Sequence, residues 1–178
     1  MGSWGSADFS ELKEFQKKLQ QLENERAEFC ERCSKRLAGR LLAMAKKDTP
    51  TGEKPEIKDV IGEEKNEKAI AKKMEAYHNA WDGYVGGNLK RNWTISPINK
   101  IGNNYTIEVI NPTEYASYVE FGHRQRPGRY VPAIGKSLTE NFTQPKYMLT
   151  NAEVAIRSKI PGILEKELNK FFKEVLDE

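Results

Sequence analysis

Apolar residues recur at helical spacing over the first quarter of the chain. Phe9, Leu12, Phe15, Leu19, Leu22, Phe29, Cys33, Leu37, Leu41 and Met44 follow one another at gaps of three or four, with one gap of seven. That period predicts an amphipathic helix. Asp8 and Glu11 stand as a capping box at its start, and it should stop before Thr49-Pro50, because a residue preceding proline disfavours helical dihedrals. Forty helical residues would span about 60 Å, more than a small domain needs. Such a helix should pack partly on its own domain and partly on something else, unless Gly39 breaks it and the chain folds back.

Residues 48–62 mix proline, glycine and charge and read as a loop. Ile70, Met74, Tyr77 and Trp81 predict a second helix over 63–81, closed by Gly83, Gly86 and Gly87. The period then drops to two. Trp93 and Ile95 alternate with polar neighbours, as do Tyr105, Ile107 and Val109, which predicts two strands joined by a hairpin loop at Asn99–Asn103. Asn111, Pro112 and Glu114 have the order of an N-cap, a first helical residue and a capping box, and Gly122 suits a left-handed stop. A short buried helix is therefore expected over 112–121, with Tyr115, Tyr118, Val119 and Phe121 on or near one face. Residues 122–146 are irregular, with a strand conceivable over Arg129–Ile134. Tyr147–Leu149 reads as a short strand. Thr150 and Glu153 read as the cap of a last helix carrying Val154, Ile160, Leu164, Leu168, Phe171 and Val175, kinked at Pro161-Gly162. The pattern as a whole predicts an α+β fold. A long N-terminal helix and a kinked C-terminal helix pack on a small antiparallel sheet of three or four strands, with a short helix after the second strand. The division expected is a flexible arm over 1–7 (MGSWGS, native or a cloning remnant) and a single domain over 8–178.

Composition narrows the class. The 178 residues include 17 aromatics and carry a net charge of +3, which excludes disorder throughout. No run approaches the ~20 apolar residues of a membrane span. No apolar stretch near the start suggests a secretory signal, so a reducing cytoplasm is the expected home. Charge is unevenly placed. Residues 122–146 hold Arg124, Arg126, Arg129, Lys136 and Lys146 against Glu140 alone, which leaves 24 basic and 25 acidic residues elsewhere. A nearly neutral scaffold thus carries one cationic loop, interleaved with Tyr130 and Phe142. Arginine beside aromatics suits phosphate or an acidic protein surface. Local pairing with carboxylates is the bland alternative.

Candidate chemistry is thin. Cys30 and Cys33 fall on one helical face, but tetrahedral zinc needs two more ligands, and only His78 and His123 are on offer. A redox CxxC sits at a helix N-terminus, where the thiol pKa falls, and this one is mid-helix. Glu120 and His123 have the spacing of an acid–base pair, without a nucleophile or third group. Gly86-Gly87-Asn88-Leu89-Lys90 lacks the phosphate-loop pattern and precedes a strand. No catalytic residue, metal site or cofactor is expected.

The stretch Tyr105–Gly122, YTIEVINPTEYASYVEFG, resembles the signature of the tailed-phage neck or tail-completion family of head–tail connection components. Three weaker motifs follow that family's order. Thr49-Pro50-Thr51-Gly52 is similar to its turn after the long helix. Gly87–Trp93 resembles the entry to its first strand, and Pro145–Leu149 the entry to its last helix. The departures are insertions over 53–86 and 125–144. The resemblance implies a non-enzymatic virion protein acting in a ring of its own copies. Its partners would be connector or head-closure proteins and tail terminator or tail-tube proteins, with transient contact to genomic DNA in the lumen and none to membrane. It would assemble in the host cytoplasm and reside in the virion neck or tail. Tyr115, Tyr118, Val119, Phe121 and Gly122 would be packing residues, with Glu120 a cap or an acceptor for Arg124 or Arg126. Interaction candidates are Glu120, His123, Arg124, Arg126, Arg129 and Tyr130. Two other classes stay open: a nucleic-acid-binding module using the basic loop, and a small acid–base hydrolase using Glu120 and His123.

Overall fold

Alternation of three- and four-residue gaps gives one unbroken helix in the computed structural model, which describes residues 10–176. Helix α1 runs Ser10–Asp48 and ends before Thr49-Pro50 as expected, and Gly39 does not break it. The proposed cap at Asp8, Phe9 and the arm over 1–7 lie outside the described residues. Next come α2 (Ile57–Ile61), α3 (Glu67–Trp81) and α4 (Asn88–Arg91), then strands β1 (Thr94–Ile95), β2 (Asn99–Ile101), β3 (Asn104–Thr106) and β4 (Val109–Ile110). Helix α5 (Ala116–Phe121) precedes β5 (His123–Arg124), β6 (Tyr130–Val131), a 3-10 turn η1 (Pro132–Ile134), β7 (Lys136–Ser137) and β8 (Phe142–Thr143). Helices α6 (Met148–Arg157) and α7 (Ile160–Leu176) follow.

Mixed helix and antiparallel strand is what the pattern predicted; a sheet of three or four strands is not what forms. Among the described residues the strands pair two by two, β1 with β4, β2 with β3, β5 with β8 and β6 with β7. Each is two or three residues long, because prolines 97, 112, 127, 132 and 145 and intervening glycines keep interrupting the ladder. The expected hairpin loop at 99–103 is itself largely strand. Asn99 pairs Thr106 and Ile101 pairs Asn104, leaving a two-residue Gly102-Asn103 turn.

Other expectations shift locally. The loop over 48–62 contains α2. Helix α3 starts at Glu67, where Asn66 accepts from the N–H groups of Lys68 and Ala69. Tyr147–Leu149 is not a strand, since Met148 and Leu149 open α6. The expected kink becomes a break, with Ile160 and Pro161 opening α7, where proline lacks no hydrogen bond.

The chain groups into two compact units. Among the described residues, one comprises 10–40, Ile95–Glu108 and 154–176. In it α7 runs against α1: Phe171 stacks on Phe29 at 4.7 Å, Arg36 pairs with buried Glu167, and the Lys18 ammonium donates to the Leu176 carbonyl. Ile163, Glu167, Phe171 and Val175, four residues apart, are its buried stripe.

The other unit comprises Leu41–Thr94 and Val109–Glu153. Its core gathers Ala45, Leu89, Trp93, Met148 and Ala152, with Ala116 and Val119 packed against them. Trp93 Nε1 donates to Thr49 Oγ1 at 2.7 Å, and that hydroxyl donates to the Ala45 carbonyl. The Thr-Pro turn is therefore pinned by a satisfied buried network.

Candidate assembly surface

Asn111 does not cap α5. Its Oδ1 accepts from Thr113 N–H in a local turn, and its Nδ2 donates to the Leu89 carbonyl at 2.7 Å. The residue that reads as a cap in sequence instead fastens the turn to α4. Helix α5 begins only at Ala116, without a side-chain cap. Its inner face is Ala116, Val119 and Glu120. Tyr115, Tyr118 and Phe121 do not form a buried face: all three are exposed, Tyr118 by 57% and Phe121 by 62%. Of the four expected packing side chains only Val119 joins the core.

Glu120 is the buried polar residue of the motif, at 7% exposure. Its carboxylate accepts from Leu149 N–H at 3.0 Å, Thr150 N–H at 2.9 Å and Thr150 Oγ1–H at 2.7 Å. These are first-turn donors of α6, which have no partner within their own helix. Glu120 is thus the cap of α6, and Thr150, expected to be the cap, is one of the residues capped. In return Lys146 N–H donates to the Val119 carbonyl and Tyr147 N–H to the Glu120 carbonyl. Tyr147 takes a positive φ of 48° at this junction. The motif is a reciprocal clamp between the end of α5 and the start of α6. Glu120 forms no ion pair with Arg124 or Arg126. Its oxygens are committed to α6 and do not bond His123, whose Nδ1 is buried without a hydrogen-bond partner and whose ring meets Tyr118 edge-on at 5.7 Å.

Residues 123–143 form a long two-stranded arm where an irregular loop was expected. His123 pairs Thr143, Arg124 pairs Phe142, Tyr130 pairs Ser137 and Val131 pairs Lys136. Backbone bonds from Gln125 to Asn141, Gly128 to Leu138 and Leu138 to Arg129 bridge the stretch between. The tip at η1 packs against α2 and α3. Trp81 Nε1 donates to the Ala133 carbonyl at 2.7 Å, and a side chain at Gly135 would strike the Val60 carbonyl. The two segments read as insertions are therefore partners: 53–86 supplies the seat on which the tip of 125–144 rests. Arg124, Arg126 and Arg129 are exposed along the arm, as are Tyr130 and Lys136. Among the described residues none of the three arginines has a carboxylate partner. Local pairing does not account for the cluster.

The ordered motifs converge. A cleft of about 380 Å³ is lined by Pro50, Thr51, Gly52, Gly87, Asn88 and Tyr115, among others, so the Thr-Pro-Thr-Gly turn, the glycine-led entry and the tyrosine motif meet. Tyr84 also lines it, and Arg91 donates to the Gly86 carbonyl at 2.5 Å and the Val85 carbonyl at 3.3 Å, which holds the glycine segment in place. Tyr84 did not stand out in the sequence, and Arg91 did so only as one position of the glycine-led motif. A tyrosine next to a glycine run, with an arginine one helical turn past it, is the signal that was there. Among the described residues no group of three histidines, cysteines or carboxylates is placed to hold a metal, and no helix is long and apolar enough to cross a membrane.

Residues 13–122, more than half the chain, match the family model described as "Bacteriophage HK97-gp10, putative tail-component", and the chain belongs to that family. The comparisons with curated proteins and with solved structures found no match. The matched span ends at Gly122, so the basic arm follows the family region.

Proposed function

We propose that this tail component is a neck or tail-completion protein of the head–tail joint, that it works without catalysis, and that it assembles as a ring of its own copies. Its partners are connector or head-closure proteins on one side and tail terminator or tail-tube proteins on the other. It resides in the virion and assembles in the host cytoplasm. The observation that carries this reading is the set of exposed, unpaired arginines on a braced arm. An arm held at its base by β5–β8 and at its tip by α2 and α3 presents Arg124, Arg126 and Arg129 at fixed positions. Exposed arginines without intramolecular partners add little to folding. Fixed in place, they suit an acidic neighbouring surface, where guanidinium groups bind carboxylates bidentately.

Reversal of Arg124, Arg126 and Arg129 to glutamate should leave the protein folded and block the joining of heads to tails in particle assembly. Normal particle yield from the triple variant would overturn the proposal. Tyr130 beside the arginines favours one second reading, contact with nucleic acid. Duplex binding with a steep salt slope, lost in the same variant while particles still join, would select it.

A further inference from the structure

Helix α1 carries both an apolar ridge and an apolar groove. The ridge is Leu12, Phe15 and Leu19, exposed by 63, 54 and 48%, at the i, i+3, i+7 spacing of one helical face. The groove, about 740 Å³, lies further along in the same compact unit, between α1, α7 and the β2–β3 hairpin. Phe29, Cys30, Cys33, Leu37, Leu164 and Leu168 line it. Glu165 is the charged residue of the lining. Counting on at 100° per residue, ridge and groove floor share one side of α1.

We infer that the ridge of one copy docks in the groove of a second copy of this chain. The ridge is a helical ligand of the usual kind, large apolar side chains one turn apart, and the groove is a matching receptor. Intramolecular docking is excluded by geometry. Both lie on one continuous helix, and Phe15 and Cys33 are eighteen residues, or about 27 Å, apart at helical rise. A rigid rod cannot lay one end along its own middle. Area sets the stoichiometry of contacts. Three half-exposed side chains offer on the order of 300 Å² on each side, so one contact falls short of the ~1,200–2,000 Å² of a stable interface. Each copy must use both its ridge and its groove, and assembly should be cooperative. This rests on the self-assembly part of the proposed function and names the surface it would use.

The experiment uses the full chain. Sedimentation measures the mass of the wild type, of the ridge variant Leu12→Glu/Phe15→Glu/Leu19→Glu, and of two groove variants, Ser34→Arg and Leu168→Glu. Circular dichroism checks each fold. The expected result is a concentration-dependent oligomer for the wild type and at least a tenfold weaker association for each variant alone. An equimolar mixture of ridge and groove variants can make one of the two contacts in each pair, and should associate more than either variant alone but less than the wild type. Alkylation of Cys30 should slow as the wild type associates. A ridge variant that associates like the wild type, or a mixture that associates no more than either variant alone, overturns the inference, as does a wild type that stays monomeric at high concentration. A wild-type mass of two copies would keep the docking and reject the ring. Failure of the arginine triple variant to block joining would reject the head–tail role and leave the docking standing.

Discussion

Glu120 caps a helix from thirty residues away: its Oε1 accepts both the N–H and the hydroxyl of Thr150, at 2.9 and 2.7 Å. A capping carboxylate is stabilising because first-turn N–H groups lack intrahelical partners and lie at the positive end of the helix dipole. Removing it strands donors in a buried setting. Glu120→Ala should therefore cost about 2–3 kcal/mol, above an ordinary cap because the site is buried. Glu120→Gln keeps one acceptor oxygen and should cost roughly half as much. Urea unfolding monitored by circular dichroism reads both values. Equal stability of the alanine variant and the wild type would mean that the clamp does not hold α6.

Two glycines in sequence look alike and should behave in opposite ways. Gly122 takes a φ of +73°, and a Cβ there would strike the Thr143 carbonyl and the Phe142 ring. Gly39 sits inside α1, where a Cβ would meet nothing within 4 Å. Gly122→Ala should destabilise by at least about 2 kcal/mol through strain and collision. Gly39→Ala should stabilise by about 0.5–1 kcal/mol, because alanine loses less backbone entropy in a helix. Thermal melts of the two variants check the signs.

What sequence showed and what it hid divide along the range of the forces. Helix α1 and the stripe of α7 were legible because a 3.6 period needs only neighbours a turn apart. Ile95 and Tyr105 were legible as β because alternation is equally local, although Trp93, read as part of the same strand, lies just before β1. The cap of α6 was not, since Thr150 and Glu153 spell a capping box and only the fold brings Glu120 to the same donors. Asn111 misled for a similar reason: its side chain had a better partner in the Leu89 carbonyl, 22 residues away. Tyr118 and Phe121 were read as buried because they fall near one helical face with Val119, but the helix turns Glu120 inward instead. At the candidate site the arginine cluster was visible as charge. The braced arm that presents it depends on pairing between Arg124 and Phe142, which no short window contains.

The seat beneath the arm tip can be weakened by one atom pair. Trp81 Nε1 donates to the Ala133 carbonyl, and Trp81→Phe removes the donor while keeping most of the ring. The loss should be about 1 kcal/mol, confined to the tip. Hydrogen exchange should quicken in residues 129–137 and stay unchanged in α6. Uniform quickening would show that tip and core open together. No change would show that the tryptophan bond does not seat the tip.

The two cysteines of α1 should differ in reactivity, and pH should magnify the difference. Cys33 is buried, and burial first, with the nearby Glu167 carboxylate second, pushes its thiol above the ordinary cysteine range. Cys30 is only partly covered. Thiolate is the reactive form, so at neutral pH Cys30 should alkylate first and Cys33 should lag until the solution is well alkaline. Glu167→Gln removes the negative neighbour and leaves Arg36 without its carboxylate, so the Cys33 rate profile should move to lower pH. Linkage fixes a second sign. A thiol raised in the folded state favours folding while it is protonated. Its contribution is full below the unfolded cysteine pKa of about 8.5 and is lost as pH rises through the higher folded value. Mass-resolved alkylation from pH 7 to 10 separates the two sites, and equal rates for Cys30 and Cys33 across that range would contradict the burial of Cys33 between α1 and α7.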